Sequence, residues 1–161
     1  MLQAKICPLH RRTSLGGILV TWIYDEIGCP GAILDEFCLR NLSGHTVGWV
    51  FGLSVFSLKG DHIGWFEEGV FFDVANKVIG FVPGAKAPLE LPPLAPEPAL
   101  PALLKRPCVP TLRGRSARAR GHGWSAHCLC NYLSSGALST PVGPYLPRRC
   151  TAASATAELV R

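Results

Sequence analysis

The chain reads GHTVGWV at residues 44–50, GDHIGWF at residues 60–66 and NKVIGFV at residues 76–82. Each copy begins sixteen residues after the one before it, and its centre is a β-branched residue, a glycine and an aromatic residue. The first position of each copy is glycine or asparagine, which tolerate the positive φ of a tight turn. Each copy therefore predicts a polar turn that leads into a short strand.

The sixteen-residue unit has room for one hairpin. Apolar pairs such as Val55-Phe56 and Phe71-Phe72 precede the turns and predict the first strand of each unit. Two strands of about five residues and two turns account for the whole unit. Residues 67–69 and 82–84 are then the turns between units. Since a lone hairpin is only marginally stable in water, we expect the units to bury their apolar faces against one another.

An earlier, fourth copy is found when an insertion is allowed. Trp22 aligns with Trp49, and Thr21 takes the place of the glycine, at an offset of 27 residues, which is 11 more than the later period. The additional residues fall within 24–37, where glycines and a proline favour a loop. The glycine before each aromatic lets a neighbouring backbone or ring lie close. The residues that define the repeat are Trp22, Gly48, Trp49, Gly64, Trp65, Gly80 and Phe81.

These recurring motifs resemble the bacterial four-fold beta flower domain, over about residues 15–107. That family consists of four hairpin-like petals around a pseudo-fourfold axis, so the resemblance implies an all-β fold of four hairpin repeats around such an axis. The stretch 88–107 resembles the proline-rich segment that follows the domain. The resemblance implies a fold and no reaction. An antiparallel meander or open barrel without rotational closure is the alternative reading of the repeat.

Charge and proline content divide the 161-residue chain into segments. Residues 1–85 carry 6 basic and 8 acidic side chains, whereas residues 86–161 carry 10 and 3. Nine of the 14 prolines lie between Pro83 and Pro110, where they prevent helix interiors and central strands. We therefore predict an N-terminal extension (1–14), a four-hairpin β-repeat domain (15–85), a Pro-rich strap or linker (86–110) and a disordered, low-complexity basic tail (111–161).

The Pro-rich segment contains more leucines than a solvated linker needs, so part of it is expected to pack back on the petals. Its PxxP spacings, at residues 93–96 and 98–101, are the pattern that proline-recognising domains bind. That spacing is common in Pro-rich sequence, and we favour packing or a plain linker over a docking motif.

The tail begins with arginines that alternate with small residues. Arginines in such a pattern contact phosphates and give salt-dependent binding to nucleic acid or another anionic surface. Few aromatic residues follow that could stack on bases, which favours a plain disordered tail. The candidate anion-binding residues are Arg113, Arg115, Arg118 and Arg120.

Cysteine and histidine cluster loosely in the tail. Cys128 and Cys130 lie close to His122 and His127, but two cysteines separated by one residue lack the usual zinc spacing, and no second pair follows. Cys7 and His10 form another isolated pair. We therefore predict no metal site and no cofactor.

Sequence motifs for catalysis are missing. The chain contains no nucleophile elbow, phosphate-binding loop, dinucleotide fingerprint or His-Glu-x-x-His motif. His45 and His62 fall in nearly equivalent turns, and an enzyme that uses these turn histidines is the least favoured alternative. We expect no enzymatic activity, and the sequence identifies no small-molecule substrate.

Two apolar stretches bear on localisation. Residues 41–58 are uncharged, but their glycines and β-branched residues indicate strands, so we predict no membrane span. The apolar run 15–23 follows basic residues, as in a secretory signal, without a suitable cleavage site. We expect a cytoplasmic protein.

The aromatic residues that end the four repeats exceed what a minimal core of about 90 residues needs. This surplus predicts a non-enzymatic β-repeat module used for self-association or protein partner binding. The alternative is binding of nucleic acid or an anionic surface through the arginines of the tail.

Overall fold

The computed structural model describes residues 13–15 and 18–135, with the side chains of residues 20–135. Most of the predicted N-terminal extension, including Cys7 and His10, lies outside the described residues. So does the last part of the predicted tail, residues 136–161.

The described chain contains nine antiparallel strands that neighbour one another in sequence order. β2 also pairs with β9 through Tyr24 and Phe81, so strands β2–β9 close into an eight-stranded barrel. This closure confirms the predicted all-β fold around a pseudo-fourfold axis and excludes the open meander. The strands are β1 (Thr13–Leu15), β2 (Ile18–Tyr24), β3 (Pro30–Asp35), β4 (Cys38–Arg40), β5 (Thr46–Phe51), β6 (Ser54–Ser57), β7 (His62–Glu67), β8 (Val70–Asp73) and β9 (Val78–Phe81).

Four wide turns of the same geometry define four petals. In each turn the backbone N–H of the first residue donates to the carbonyl four residues later, and its side-chain oxygen accepts the N–H of that later residue. The residue in between that needs positive φ is Gly28, Gly44, Gly60 or Asn76. Petals 1 to 4 are the strand pairs β2–β3, β4–β5, β6–β7 and β8–β9, and their turns open at Asp25, Asn41, Ser57 and Asp73, sixteen residues apart.

The register of the first petal corrects the sequence alignment. Because all four turns keep the sixteen-residue interval, no insertion follows the first copy. Ala32 and Ile33 occupy the positions of Gly48 and Trp49. Trp22 lies instead on β2, where it pairs with Ile33. The alignment failed because the first petal carries no Gly-aromatic pair, while a Thr-Trp pair on the preceding strand imitates one.

The core runs along the barrel axis. Inward side chains form rows at sixteen-residue intervals, and a short helix, α1 (Leu129–Ser135), adds to them at one end. Tyr132 of this helix donates a hydrogen bond from its Oη to the carbonyl of Ile63 (2.6 Å) and accepts one from the N–H of Val74 (3.2 Å). The buried core residues are Ile23, Ala32, Leu39, Val47, Val55, Ile63, Phe71, Ile79, Leu129, Tyr132 and Leu133.

Residues 86–124, which we call the strap, run in extended conformation around the outside of the barrel. The N–H groups of Ala95, Leu104 and Arg113 donate to the carbonyls of Gly28, Gly44 and Gly60. The donors are nine residues apart and the acceptors are sixteen residues apart. Nine extended residues span about 28 Å, so one strap step carries the chain from one petal to the next.

The ordered chain continues beyond the predicted strap. The N–H of Val78 in β9 donates to the carbonyl of Gly123, and the N–H of Ser125 donates back to Val78. Residues 111–135 therefore have defined contacts with the barrel, which corrects the expectation of disorder for that part of the tail. The physical reason is that its apolar residues, Trp124 and those of α1, are buried or half-buried against the petals.

Among residues 18–135 no helix has the length and apolar character required to cross a membrane. Most of the uncharged stretch 41–58 forms β5 and β6, as its β-branched and aromatic residues predict.

Candidate binding cleft

The aromatic residues of the repeat are buried. Trp22, Trp49, Trp65 and Phe81 are each at most 7% exposed. Over petal 1 the strap leucines Leu91, Leu100 and Leu103 pack against the cluster that contains Trp22 and Phe81. The guanidinium of Arg118 in the strap lies over Trp65, and Trp49 packs in a separate buried cluster with Cys38 and Phe56. The aromatic residues are therefore buried and do not form an exposed association surface.

The repeat glycines lie where neighbouring chain approaches closely. A Cβ added to Gly64 would lie 2.0 Å from the carbonyl oxygen of Phe72, and one added to Gly48 would lie 2.7 Å from that of Phe56. At Gly80 the nearest atom would be Ile23 Cγ2, at 2.8 Å. Ala32 holds the equivalent position in petal 1, and it is fully buried.

A buried ion-pair network under the strap was missed by sequence reasoning. Arg40 Nε donates to Asp35 Oδ2 (2.8 Å), and both side chains are 2% exposed. Arg40 Nη1 donates to the carbonyls of Gly44 and Leu104, and Arg106 of the strap pairs with the second oxygen of Asp35 (2.9 Å). The sequence does contain a feature that indicates this network. Arg40 stands where the other petals have an aromatic residue, since the positions sixteen residues apart in the repeat are Tyr24, Phe56 and Phe72.

The four arginines proposed for anion binding differ in their surroundings. Arg113 pairs with Asp61 (2.8 Å). Arg118 pairs with Glu67 (2.7 Å), and its guanidinium lies over the rings of Trp65 and Phe72. Arg115 and Arg120 are exposed and form no ion pair within the described part of the chain. Two of the four thus fasten the strap to carboxylates of petal 3.

The turn carboxylate Asp73 also has a structural partner. It is 3% exposed, and its Oδ2 accepts a hydrogen bond from Ser125 Oγ (2.5 Å). Its Oδ1 accepts the N–H of Lys77. Asp73 therefore joins the last petal to the segment that leads into α1.

The two candidate histidines lie in different environments. His45 is exposed in its wide turn, whereas His62 begins β7 and is 8% exposed. The Nδ1 of His62 accepts the N–H of Ser116 in the strap, and its ring packs edge-on against Trp65. Its Nε2 has no hydrogen-bond partner among the described residues. Burial, with the nearby positive charge of Arg115, lowers the pKa of His62.

This environment predicts a pH dependence of stability. The folded state holds His62 neutral while the unfolded state takes up a proton near the ordinary pKa of about 6.5. The free energy of unfolding therefore falls as the pH is lowered through that value. We expect the wild-type chain to lose more stability than His62→Gln between about pH 7.5 and about pH 5, measured by urea unfolding followed by tryptophan fluorescence.

The matched control is His45→Gln, which removes an exposed histidine and should keep the wild-type pH dependence. Identical pH profiles for wild type and His62→Gln would show that the buried imidazole does not contribute.

The start and the end of the strap meet over petal 4 and leave a cleft of about 460 Å³ between them. Phe72 and Val78 of the petal give it an apolar lining. Its remaining walls carry charges of both signs, and its volume falls in the range of ligand-binding pockets. The charged and polar residues that line it are Glu67, Glu68, Asn76, Lys86, Arg118 and His122.

A metal site is not found in this region or elsewhere in residues 18–135, where no group of three or more His, Cys, Asp or Glu side chains could hold an ion. Cys128 and Cys130 lie together at the start of α1, while His122 lies at the cleft. The sequence cluster is thus divided between two places.

The fold is a closed barrel of four petals with a repeated turn, and an extended strap surrounds it. A comparison of the sequence with protein families gives the same fold. The model of the 4-fold beta flower protein matches residues 21–133, which is well over half of the chain. The chain belongs to the 4-fold beta flower family. No curated protein and no solved structure matches it.

The match to the beta flower model extends beyond the region that carried the sequence resemblance, which ended at residue 107. It includes the second half of the strap and most of α1. The strap and the helix are therefore parts of the beta flower domain, and the cleft between the strap ends is formed by the domain itself.

Proposed function

We propose that this beta flower protein is a non-enzymatic binding module, and that the cleft over petal 4 takes an extended segment of a partner protein. The observation that carries the proposal is the cleft between the two ends of the strap. At petals 1 to 3 a strap N–H donates to the glycine carbonyl of each wide turn. At petal 4 the end of the strap is hydrogen-bonded to Asn76 and Val78, and an open, partly apolar cleft remains between it and the start of the strap.

The chemistry of the cleft indicates the kind of segment. The outer wall of petal 1 is covered by an extended chain with leucine side chains. In petal 4, Phe72 and Val78, which are 8% and 1% exposed, form a related apolar wall at the base of the cleft. An extended peptide with one apolar side chain suits this wall. Glu68 and Lys86 form an ion pair at the rim of the cleft (3.9 Å), with side chains 62% and 73% exposed. Because such an exposed pair contributes little to stability, each residue can exchange its partner for a charged residue beside that apolar side chain.

Self-association and anion binding have less support. The aromatics that suggested self-association are buried, and Arg113 and Arg118 are paired with carboxylates of the barrel. We therefore favour partner binding over both.

The test is selection of short peptides from a displayed random library on the full chain, followed by affinity measurement with labelled peptides. We expect enriched peptides to bind Lys86→Glu about tenfold more weakly than wild type, because the rim charge is reversed. Lys86 is largely exposed, so this change should leave the fold intact.

The matched control is Lys105→Glu, which reverses an exposed charge on the strap at a position that does not line the cleft. It should bind within about twofold of wild type. Failure to enrich any peptide, or equal affinities for wild type and Lys86→Glu, would count against the cleft as a binding site.

A further inference from the structure

Two cysteine sulfurs are in contact at the start of α1. Cys128 immediately precedes the helix, and Cys130 lies in its first turn. Residues two apart within a helix do not face each other, but Cys128 lies outside the helical segment, and its Sγ is 2.8 Å from Cys130 Sγ. The pair is therefore placed for bond formation between the two sulfurs.

The two thiols differ in their exposure and in their pKa because their surroundings differ. Cys130 is exposed, and Cys128 is half-buried beside Asp25, Ser125 and His127. The thiol of Cys130 and the backbone N–H groups of Cys130 and Asn131 donate to Cys128 Sγ, and together they lower the pKa of Cys128 to about 6. The same contact raises the pKa of Cys130. Near neutral pH the pair thus consists of one thiolate and one thiol.

We propose that Cys128 and Cys130 form a reversible redox site, oxidised to a disulfide by exchange with a low-molecular-weight disulfide such as glutathione disulfide. The Cys128 thiolate attacks one sulfur of glutathione disulfide, whose S–S bond breaks to release one glutathione thiolate. Cys130 then gives up its proton through water and attacks Cys128 Sγ, which releases the second glutathione. Two electrons pass from the cysteine pair to glutathione disulfide, and the proton of Cys130 is taken up by a departing glutathione.

Two further cysteines, Cys38 and Cys108, provide controls. Cys38 is fully buried, and its sulfur contacts Thr46 Oγ1 (3.2 Å), so it is shielded from a soluble disulfide. Cys108 is an exposed free thiol on the strap. Cys108→Ser should leave the behaviour of the pair unchanged.

The test uses the full chain equilibrated at a series of ratios of reduced to oxidised glutathione, then quenched with iodoacetamide and digested with trypsin. Cleavage after Arg120 and Arg148 releases residues 121–148, which contain Cys128 and Cys130 and no other cysteine. We expect this peptide to change from doubly alkylated to unalkylated and two hydrogen atoms lighter as oxidised glutathione increases, and to return on reduction. Alkylation of both cysteines at every ratio, or a persistent glutathione adduct, would overturn the proposal.

A second measurement tests the roles of the two thiols. The rate of alkylation of Cys128 should rise with pH around a midpoint near 6, and Cys130→Ala should move this midpoint upward by about one pH unit or more, because it removes the thiol donor that stabilises the thiolate. Cys130→Ala should also stop the exchange at the glutathione adduct of Cys128. An unchanged midpoint in this variant would overturn the assignment.

Discussion

Arg40→Met should reduce the free energy of unfolding by about 3–5 kcal/mol, since it leaves the buried carboxylate of Asp35 with only the partly exposed Arg106 as a charged partner. It also removes the donor to the carbonyls of Gly44 and Leu104, which is one of the links between the strap and petal 2. Urea unfolding followed by tryptophan fluorescence measures the loss.

The matched control for Arg40→Met is Arg113→Met, which removes an ion pair whose arginine side chain is 73% exposed. Exposed pairs contribute little, so this variant should lose less than about 1 kcal/mol. The double variant Asp35→Asn with Arg40→Met should regain part of the loss, because no carboxylate is then left buried there. Equal losses for Arg40→Met and Arg113→Met would contradict the importance of the buried network.

Gly64→Ala should reduce the free energy of unfolding by about 3 kcal/mol or more. The new Cβ would lie 2.0 Å from the backbone oxygen of Phe72, a distance that no rotamer change can relieve. Strands β7 and β8 would have to separate at the Trp65–Phe72 pair. Thermal and urea unfolding of the full chain measure this loss.

Gly114→Ala is the control for the glycine substitution, because a Cβ there meets nothing within 4 Å. A surface change of this kind should alter stability by less than about 0.5 kcal/mol. If Gly64→Ala unfolds at the same denaturant concentration as Gly114→Ala, the close approach of the strands does not constrain residue 64.

The sequence predicted the petals well because the same backbone conformation, and so the same kind of residue, is required at the same position of each repeat. Positive φ at Gly44, Gly60 and Asn76 requires a restricted set of residues, and the period follows from their positions. The first petal was misaligned because its packing position holds Ala32 and Ile33, which carry no distinctive side-chain signal. Extending the turn period back by one step to Gly28 would have found the correct register.

The strap and the buried charges were harder to predict. The nine-residue period of the strap is visible in Pro92, Pro101 and Pro110. It differs from the sixteen-residue period of the petals, and the two periods are related only through the geometry of the barrel. Considered by itself, Arg40 would be assigned to the surface, because its burial depends on a carboxylate five residues earlier and on a strap residue 64 positions later. The cleft likewise depends on where the two ends of the strap meet.

The closure of the barrel between β2 and β9 has a consequence for how the molecule opens. Tyr24 and Phe81 form the one ladder pair between these strands, so this seam has less backbone pairing than the other strand junctions. Trp124 packs edge-on against Phe81, and Leu129 lies beside both Gly31 and Gly80, on the two sides of the seam. Residues 124–129 thus act as a clasp, and a nascent barrel has its weakest junction unfastened while this segment is still in the ribosome.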